Sequence, residues 1–353
     1  MIDKNRFMYL KKYLEECAKG GAFPGASFGI VTKEDCMFDS VGYSQLMPER
    51  ESAGINTIYD LASLSKVVST TTIILMLIEQ GRITLQTKVS DILSSFKHKD
   101  VTILNLLTHT SGLPSDIQDY KKFCSTREDL INSVYNTELE YETGKKVMYS
   151  DIGYILLGLI AEKTIGKLDE FFKNNIAKPL NMENTFYNPV KEVRSKCAAT
   201  EITKARGCIK GIVHDGKAYM LNGVSGHAGL FSTVGDLGRF CRMILNEGMP
   251  DGVTHERILS KNSIMLMSKC YTTGLNERRG LGWQLKDNLS SMGDLASECS
   301  IYHTGFSGTS ILIDFKNQMA FILLTNRIHP TRENKELIKL RRNINNIAET
   351  IVF

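Results

Sequence analysis

The stretch "LASLSKVVSTTTIILMLIEQG" (61–81) decides how the chain is read. Ser63 and Lys66 stand three residues apart, at the head of the uncharged run 67–78. A helix brings residues i and i+3 onto one face, so the hydroxyl and the amine come within reach of each other. Gly81 is the natural stop. The 12 uncharged residues are too few to span a bilayer, so they belong to a core. A lysine at the lip of that core is partly desolvated, which lowers its pKa toward the range of a general base. The start of a helix also leaves backbone N–H groups free beside Ser63, where they can hold a developing oxyanion. A second Ser-x-x-Lys, Ser94 to Lys97, lies in "SSFKHKD". That is a solvated charge cluster, in which a lysine stays protonated at neutral pH.

Around this stretch the chain reads as a globular protein. Its 353 residues, 42% of them hydrophobic, suffice for a large core in one or two domains. The net charge of +4 is spread out, and the densest basic patch, "KELIKLRRN" (335–343), reads as one face of a helix. No nucleic-acid partner is therefore expected. In "MIDKNRFMYLKKYLEECAKGG" (1–21) Phe7, Leu10, Leu14 and Cys17 recur on a helical period with charges between them. A secretory leader needs an unbroken apolar core instead. None of the eight cysteines forms a Cys-x-x-Cys pair. Free thiols and a cytoplasmic location are the expectation.

Two strands about a polar turn are predicted in "GASFGIVTKEDCMFDSVGY" (25–43). Helices are predicted at 63–80, 127–136, 150–164 and 167–180, and Thr233 with Asp236 fits a capping box. "GTSILIDF" (308–315) and "MAFILLTN" (319–326) read as strands joined by "KNQ", and a last helix is predicted at 331–350. The expected fold class is α/β: an antiparallel sheet flanked by terminal helices, with an inserted, mostly helical domain. The division is 1–80 with 215–353 for the discontinuous sheet domain and 81–214 for the helical one, with a catalytic cleft between them.

Two further stretches carry chemistry. In "YSD" (149–151) Ser150 or Asp151 can cap the following helix, which holds Tyr149 rigidly at its mouth. In "YHTGFSGTS" (302–310) His303 and Thr304 offer an imidazole and a hydroxyl, and Gly305 and Gly308 permit close backbone approach. This stretch is placed just before the first C-terminal strand.

Taken in order, "SLSK" (63–66), "YSD" (149–151) and "HTG" (303–305) resemble the motifs of the penicillin-recognising serine hydrolases, in the branch of class C β-lactamases, D,D-peptidases and family esterases. Supporting phrases are "LLTHTSGLP" (106–114), "NIAKPLNMENTFYNP" (175–189) and "GHAGLFSTVGDL" (226–237), and the resemblance runs from about 20 to 330. It implies an α/β domain built from both chain ends plus a helical domain. It makes Ser63 the acylated nucleophile, Lys66 its base or proton relay and Tyr149 the proton shuttle. Asp151 stands where the family motif often has Asn, and would orient Lys66 or the substrate amide; its added negative charge should hold Lys66 or a neighbour more firmly protonated. Backbone N–H groups of Ser63 and Phe306 would form the oxyanion hole. Thr304, Gly305 and His227 would contact substrate.

His303 stands where the motif often has Lys. Its charge at neutral pH is small, and acid conditions would raise it. The fixed cation that greets a substrate carboxylate is thereby weakened, which favours a small ester or a cell-wall peptide over a β-lactam. "VHDGKAYMLNGVSGHAGLFST" (213–233) resembles hydrolases of cell-wall peptide turnover. The expected function is a serine hydrolase cleaving an ester or amide bond, the partner being a small-molecule or peptide substrate. The alternatives are a class C-type β-lactamase and a penicillin- or muropeptide-binding sensor with little turnover. His214, Asp215 and His227 lack any metal-ligand spacing, and there is no Gly-x-Ser-x-Gly, Walker or dinucleotide motif. No metal and no cofactor are expected, and nothing specifies an oligomer.

Overall fold

The structure is a computed structural model that describes residues 1–250, 257–288 and 290–352. The N-terminal helix α1 (Lys4–Lys19) is capped by Asp3, whose side chain accepts from the Asn5 and Arg6 N–H groups. Phe7, Leu10, Leu14 and Cys17 form its buried stripe, as their spacing predicts. Strands β1 (Gly25–Thr32), β2 (Cys36–Gln45) and β3 (Glu51–Ser52) follow. The segment with Ser63 is one continuous helical run made of a 3₁₀ turn (Ala62–Leu64), a π-helical stretch (Lys66–Thr71) and α2 (Thr72–Glu79). Then come α3 (Asp151–Ile165), α4 (Val234–Leu245), β4 (Gln284–Leu285), β5 (Ser300–Thr304), β6 (Ser310–Asp314), β7 (Met319–Thr325) and α5 (Glu336–Glu349).

The seven strands form an antiparallel sheet in the order β3-β2-β1-β7-β6-β5-β4. The two chain ends meet at its centre, where Ala26 pairs with Thr325 and Thr32 with Met319. Both faces are covered. Phe28, Ile30, Phe321 and Leu323 pack with Phe7, Leu10 and Ile344 of the terminal helices. Ile311, Ile313, Ile322 and Leu324 face a second core that holds Val234 and Leu237 of α4 and the apolar residues of α2 and α3. This is the expected β-lactamase/transpeptidase-like architecture: a central antiparallel sheet flanked by helices, with an inserted helical region.

Three details differ from the sequence reading. His303 and Thr304 end a strand, β5, and do not lie in a turn before one. "SIYHT" is too short, and too uniformly buried, to show an alternating pattern. The last helix begins at Glu336, and Arg332 in the preceding loop binds Glu201. The apolar helical run also extends to Ala62–Glu79, 18 residues, which by length and composition could cross a bilayer. Its setting decides otherwise, since 78% of it is buried inside the protein.

Helix α3 meets the "SGHAG" loop (225–229) where two glycines touch. A Cβ on Gly158 would lie 2.7 Å from the Gly226 nitrogen, so only glycine allows this approach. The contact seats the "SGHAG" loop, and the Gly226 carbonyl accepts from Thr70 Oγ1 at 2.7 Å. Gly158→Ala should therefore cost about 1–3 kcal/mol in overpacking and displace the loop from the Ser63 segment. A lowered thermal midpoint together with slower serine labelling checks this; an unchanged midpoint would show that the approach is not tight.

Candidate active site

Ser63 sits on a strained turn. Ala62, just before it, has φ +47°, a left-handed conformation that costs a non-glycine residue about 1–2 kcal/mol. Neighbouring hydrogen bonds hold it there. Ala62 N–H donates to Asp60 Oδ1 at 2.9 Å, and Ser65 Oγ donates to the Ala62 carbonyl at 2.7 Å. The short strand Tyr59–Asp60 pairs with Phe231–Ser232, which anchors the turn to the loop after Gly226. From the other side comes the β5–β6 turn. Ser307 Oγ donates to the Asp60 carbonyl at 2.7 Å and Thr309 Oγ1 to the Leu61 carbonyl at 3.0 Å. A Cβ on Gly305 would collide with the Leu61 carbonyl and the Thr309 hydroxyl, so this glycine is needed for close packing. Ser63, Thr304, Gly305 and Phe306 thereby come to line one cleft of about 380 Å³.

Lys66 is fully buried beneath Ser63. Its Nζ donates to Ser63 Oγ at 3.0 Å, to Asp151 Oδ1 at 2.8 Å and to the His227 carbonyl at 3.0 Å. Three acceptors saturate the three donors of an ammonium. Burial alone would push this lysine down, but the Asp151 carboxylate and the nearby Tyr149 phenol overcome that and hold it above its ordinary value. Of the two effects expected on Lys66, lowering by desolvation and protonation held by Asp151, the second prevails: the partner carboxylate outweighs desolvation, and Lys66 rests as an ammonium. Burial pushes Asp151 up, but Lys66, His227 and Lys217 bring it below the usual carboxylate range.

Tyr149 is positioned by its neighbours. Ser150 caps α3 and accepts from Gly153 N–H, while Ser150 N–H donates to His109 Nδ1 at 3.0 Å. The His109 ring lies 4.6 Å from that of Tyr149. Across the phenol ring stand Lys66 Nζ at 4.9 Å and the Arg279 guanidinium at 5.8 Å from its centroid. His109 is buried, and burial together with Arg279 and Lys66 keeps it neutral. Sequence reasoning quoted His109 only inside "LLTHTSGLP" and gave it no role.

Two expectations change here. His303 is buried in the cleft wall, with Nδ1 2.9 Å from the Thr304 carbonyl. Burial and the Lys66 and Arg279 charges lower its pKa well below the ordinary histidine range, so mild acid does not charge it. Arg279, Arg327 and Arg341 line the cleft, all three buried, and Arg279 is paired with Glu277 at 2.7 Å. The Nε atoms of these three have no hydrogen-bond partner among the described residues. No spacing in the sequence marks them, since they come from three separate segments. His227, expected to contact substrate, points inward. It is 1% exposed, and its ring nitrogens lie 2.8 Å from Ser225 Oγ and 2.9 Å from Asp215 Oδ1. It serves the site through its carbonyl on Lys66.

Asp151, Asp215 and His227 offer ligand atoms within 4.8 Å of one another. Lys66, Lys217 and the imidazole already bind these carboxylates. The group is an ammonium-binding cluster, and a cation would have to displace an ammonium to enter it.

The signs of these shifts set a pH window. Asp151, lowered in the fold, contributes stability above the ordinary carboxylate range and loses it as pH falls through its depressed value. Lys66, raised in the fold, contributes below its ordinary 10.5 and loses it only as pH rises through a higher value. The pair should therefore persist between about pH 5 and about pH 10. Carbon-13 NMR of lysine-labelled protein should show the Lys66 Cε resonance at its ammonium position throughout; a titration near pH 7 would contradict the ion pair.

The Beta-lactamase family profile matches residues 10–346. An N-acetylmuramyl-L-alanine amidase of Bacillus subtilis (strain 168) is 33% identical over 349 residues, 87% of this chain and 78% of that protein. A protein of Escherichia coli O157:H7, provisionally named a D-alanyl-D-alanine carboxypeptidase, is 33% identical over 322 residues, 81% of this chain and 73% of its own length. The octameric penicillin-binding protein homologue from Pyrococcus abyssi superposes with a TM-score of 0.74 at 23% identity, over 98% of this chain and 79% of that one. With the matching profile spanning nearly its whole length, this chain belongs to the β-lactamase family, the β-lactamase-like and penicillin-binding-protein-like serine hydrolases.

Proposed function

We propose that the chain hydrolyses an amide bond in a cell-wall peptide that carries a carboxylate near the scissile carbonyl, through an acyl-enzyme on Ser63. The observation that carries this is the pairing of Ser63 Oγ with Lys66 Nζ at 3.0 Å, in a cleft lined by Arg279, Arg327 and Arg341. The names of the two 33% identical relatives both describe bonds of muramyl or D-alanyl peptides. The cationic lining turns around the expectation, drawn from His303 alone, of a less anionic substrate.

In this reading Ser63 Oγ attacks the carbonyl carbon. Its proton passes to Lys66 while Lys66 passes one to Asp151 across 2.8 Å, so Lys66 remains an ammonium and Asp151 becomes a neutral acid. Backbone N–H groups of Ser63 and Phe306 hold the oxyanion. The C–N bond then breaks. The leaving amine takes its proton from Tyr149, which is resupplied from Lys66 and in turn from Asp151. Water then attacks the ester carbonyl and its proton is relayed through Tyr149 and Lys66 to Asp151; as the ester C–O bond breaks, that proton returns through Lys66 to Ser63 Oγ and the acid product leaves. Thr304 and Gly305 bind the peptide alongside.

The test is incubation of wild type and Ser63→Ala with a muramyl dipeptide and with a D-alanyl-D-alanine peptide, followed by mass spectrometry. Wild type should release alanine or its peptide from one of them and carry an adduct on Ser63, and Ser63→Ala should do neither. Equal release by both proteins, or an adduct on Ser94 or Ser150, would overturn the assignment. Arg341→Gln should lower kcat/KM for the carboxylate-bearing substrate about 10- to 100-fold, the scale of one charge-assisted hydrogen bond. A neutral nitrophenyl ester should be affected much less, and equal losses on both would remove the arginine from recognition.

A further inference from the structure

Lys217 lies outside every motif that marks the site, on a five-residue helical turn, Gly216–Met220, capped by Asp215. Its ammonium is buried. Nζ lies 2.7 Å from Asp116 Oδ1, 3.9 Å from Asp151 Oδ2 and 3.9 Å from Asp215 Oδ2. Asp151 therefore stands between two ammoniums, with Lys66 on Oδ1 and Lys217 beyond Oδ2. We propose that Lys217 is the second cation of the Ser63 site, a buried positioning residue that keeps the Asp151 carboxylate ionised and turned toward Lys66.

The argument is one of charge balance. Where the family motif often has a neutral Asn, this chain has Asp151, one more buried negative charge. Asp116, Asp151 and Asp215 then crowd one cluster, and Lys66 alone cannot balance three carboxylates. Like charges at such distances force a proton onto one of them unless a cation intervenes. Lys217 is that cation. Burial works against its charge, but Asp215, Asp151 and Asp116 together hold it protonated. The other groups that face the cluster are His227 on Asp215, the Tyr120 ring 5.7 Å from Lys217 Nζ, and Tyr149 and Tyr154 beside Lys66. His109, His303 and Arg279 stand behind Tyr149. None of these supplies a second fixed cation next to Asp151.

This inference rests on the acyl-enzyme reading, in which Asp151 must be ionised at rest to accept a proton. It makes a signed statement about pH. Removing Lys217 raises the pH below which Asp151 is protonated, so the acid limb of acylation moves upward. Removing Asp116, a competing anion that holds Lys217, moves it downward.

The experiment measures the rate of Ser63 labelling by a fluorophosphonate from about pH 9 down to about pH 3, so that the window reaches below the usual carboxylate range. In Lys217→Met the acid limb should move up by about one unit or more, a tenfold loss on the limb, with the alkaline plateau kept. Lys217→Arg should keep the wild-type limb, and Asp116→Asn, at a half-exposed position, should move it down. A limb unmoved in Lys217→Met with a uniformly lower plateau would show a structural role only and overturn the proposal. If Lys217→Met does not fold, the direction of the Asp116→Asn shift decides, and no shift or an upward one overturns it. Carbon-13 NMR of the Asp151 carboxyl group in the same variants reads the protonation without turnover. Absence of Ser63 labelling in wild type would sink the acyl-enzyme reading, and the carboxyl titration would then decide the Lys217 proposal by itself.

Discussion

The ion pair between Lys66 and Asp151, 2.8 Å long, is the constraint on which the rest of the site depends. A fully buried ammonium costs several kcal/mol unless it is paired and its donors are filled. Here the three acceptors come from three separate segments: Ser63 one turn back, Asp151 at the mouth of α3, and the His227 carbonyl in a glycine-rich loop. Each must arrive correctly for the lysine to be tolerated. The Gly158–Gly226 approach, the Ser150 cap and the pinned turn at Ala62 all serve this one requirement. The cost of burying Lys66 and the precision of the Ser63 site thus have a common origin.

The charges divide into two regions. One region groups Asp116, Asp151 and Asp215 with Lys66 and Lys217, with hydrogen-bond distances for Lys66–Asp151 and Lys217–Asp116 and 3.9 Å from Lys217 to the other two carboxylates. The other region is the cleft wall, lined by the buried Arg279, Arg327 and Arg341. His109 and His303 are kept neutral by burial and by the surrounding cations. Both imidazoles lie beside the Tyr149 ring, at 4.6 and 6.1 Å between centroids.

Much of this was legible in the sequence. Ser63, Lys66, Tyr149 and Asp151 come together because each sits at a helix start marked by its own local signals, and Phe7, Leu10, Leu14 and Cys17 show α1 by period alone. What was not legible depends on long-range packing. Asp151 was expected to hold Lys66 or a neighbour protonated, but that its charge outweighs the desolvation of Lys66 itself depends on a direct contact across 85 residues. The inward turn of His227 depends on Asp215 and Ser225, and the cationic lining draws on arginines with no common spacing. Lys217 stood in the quoted stretch "VHDGKAYM" but offered no pattern, because its three acidic partners meet only in the fold.

The central claim is that Lys66 and Asp151 act as one proton-handling unit for Ser63. A double-mutant cycle on the rate of Ser63 acylation tests it most directly, with Lys66→Met, Asp151→Asn and the double variant labelled under single-turnover conditions. If the pair is a unit, each single change should lower the rate by about 10²–10⁴-fold, and the double variant should be no slower than the slower single one. Losses that multiply in the double variant would mean that the two residues act independently, and would contradict the account.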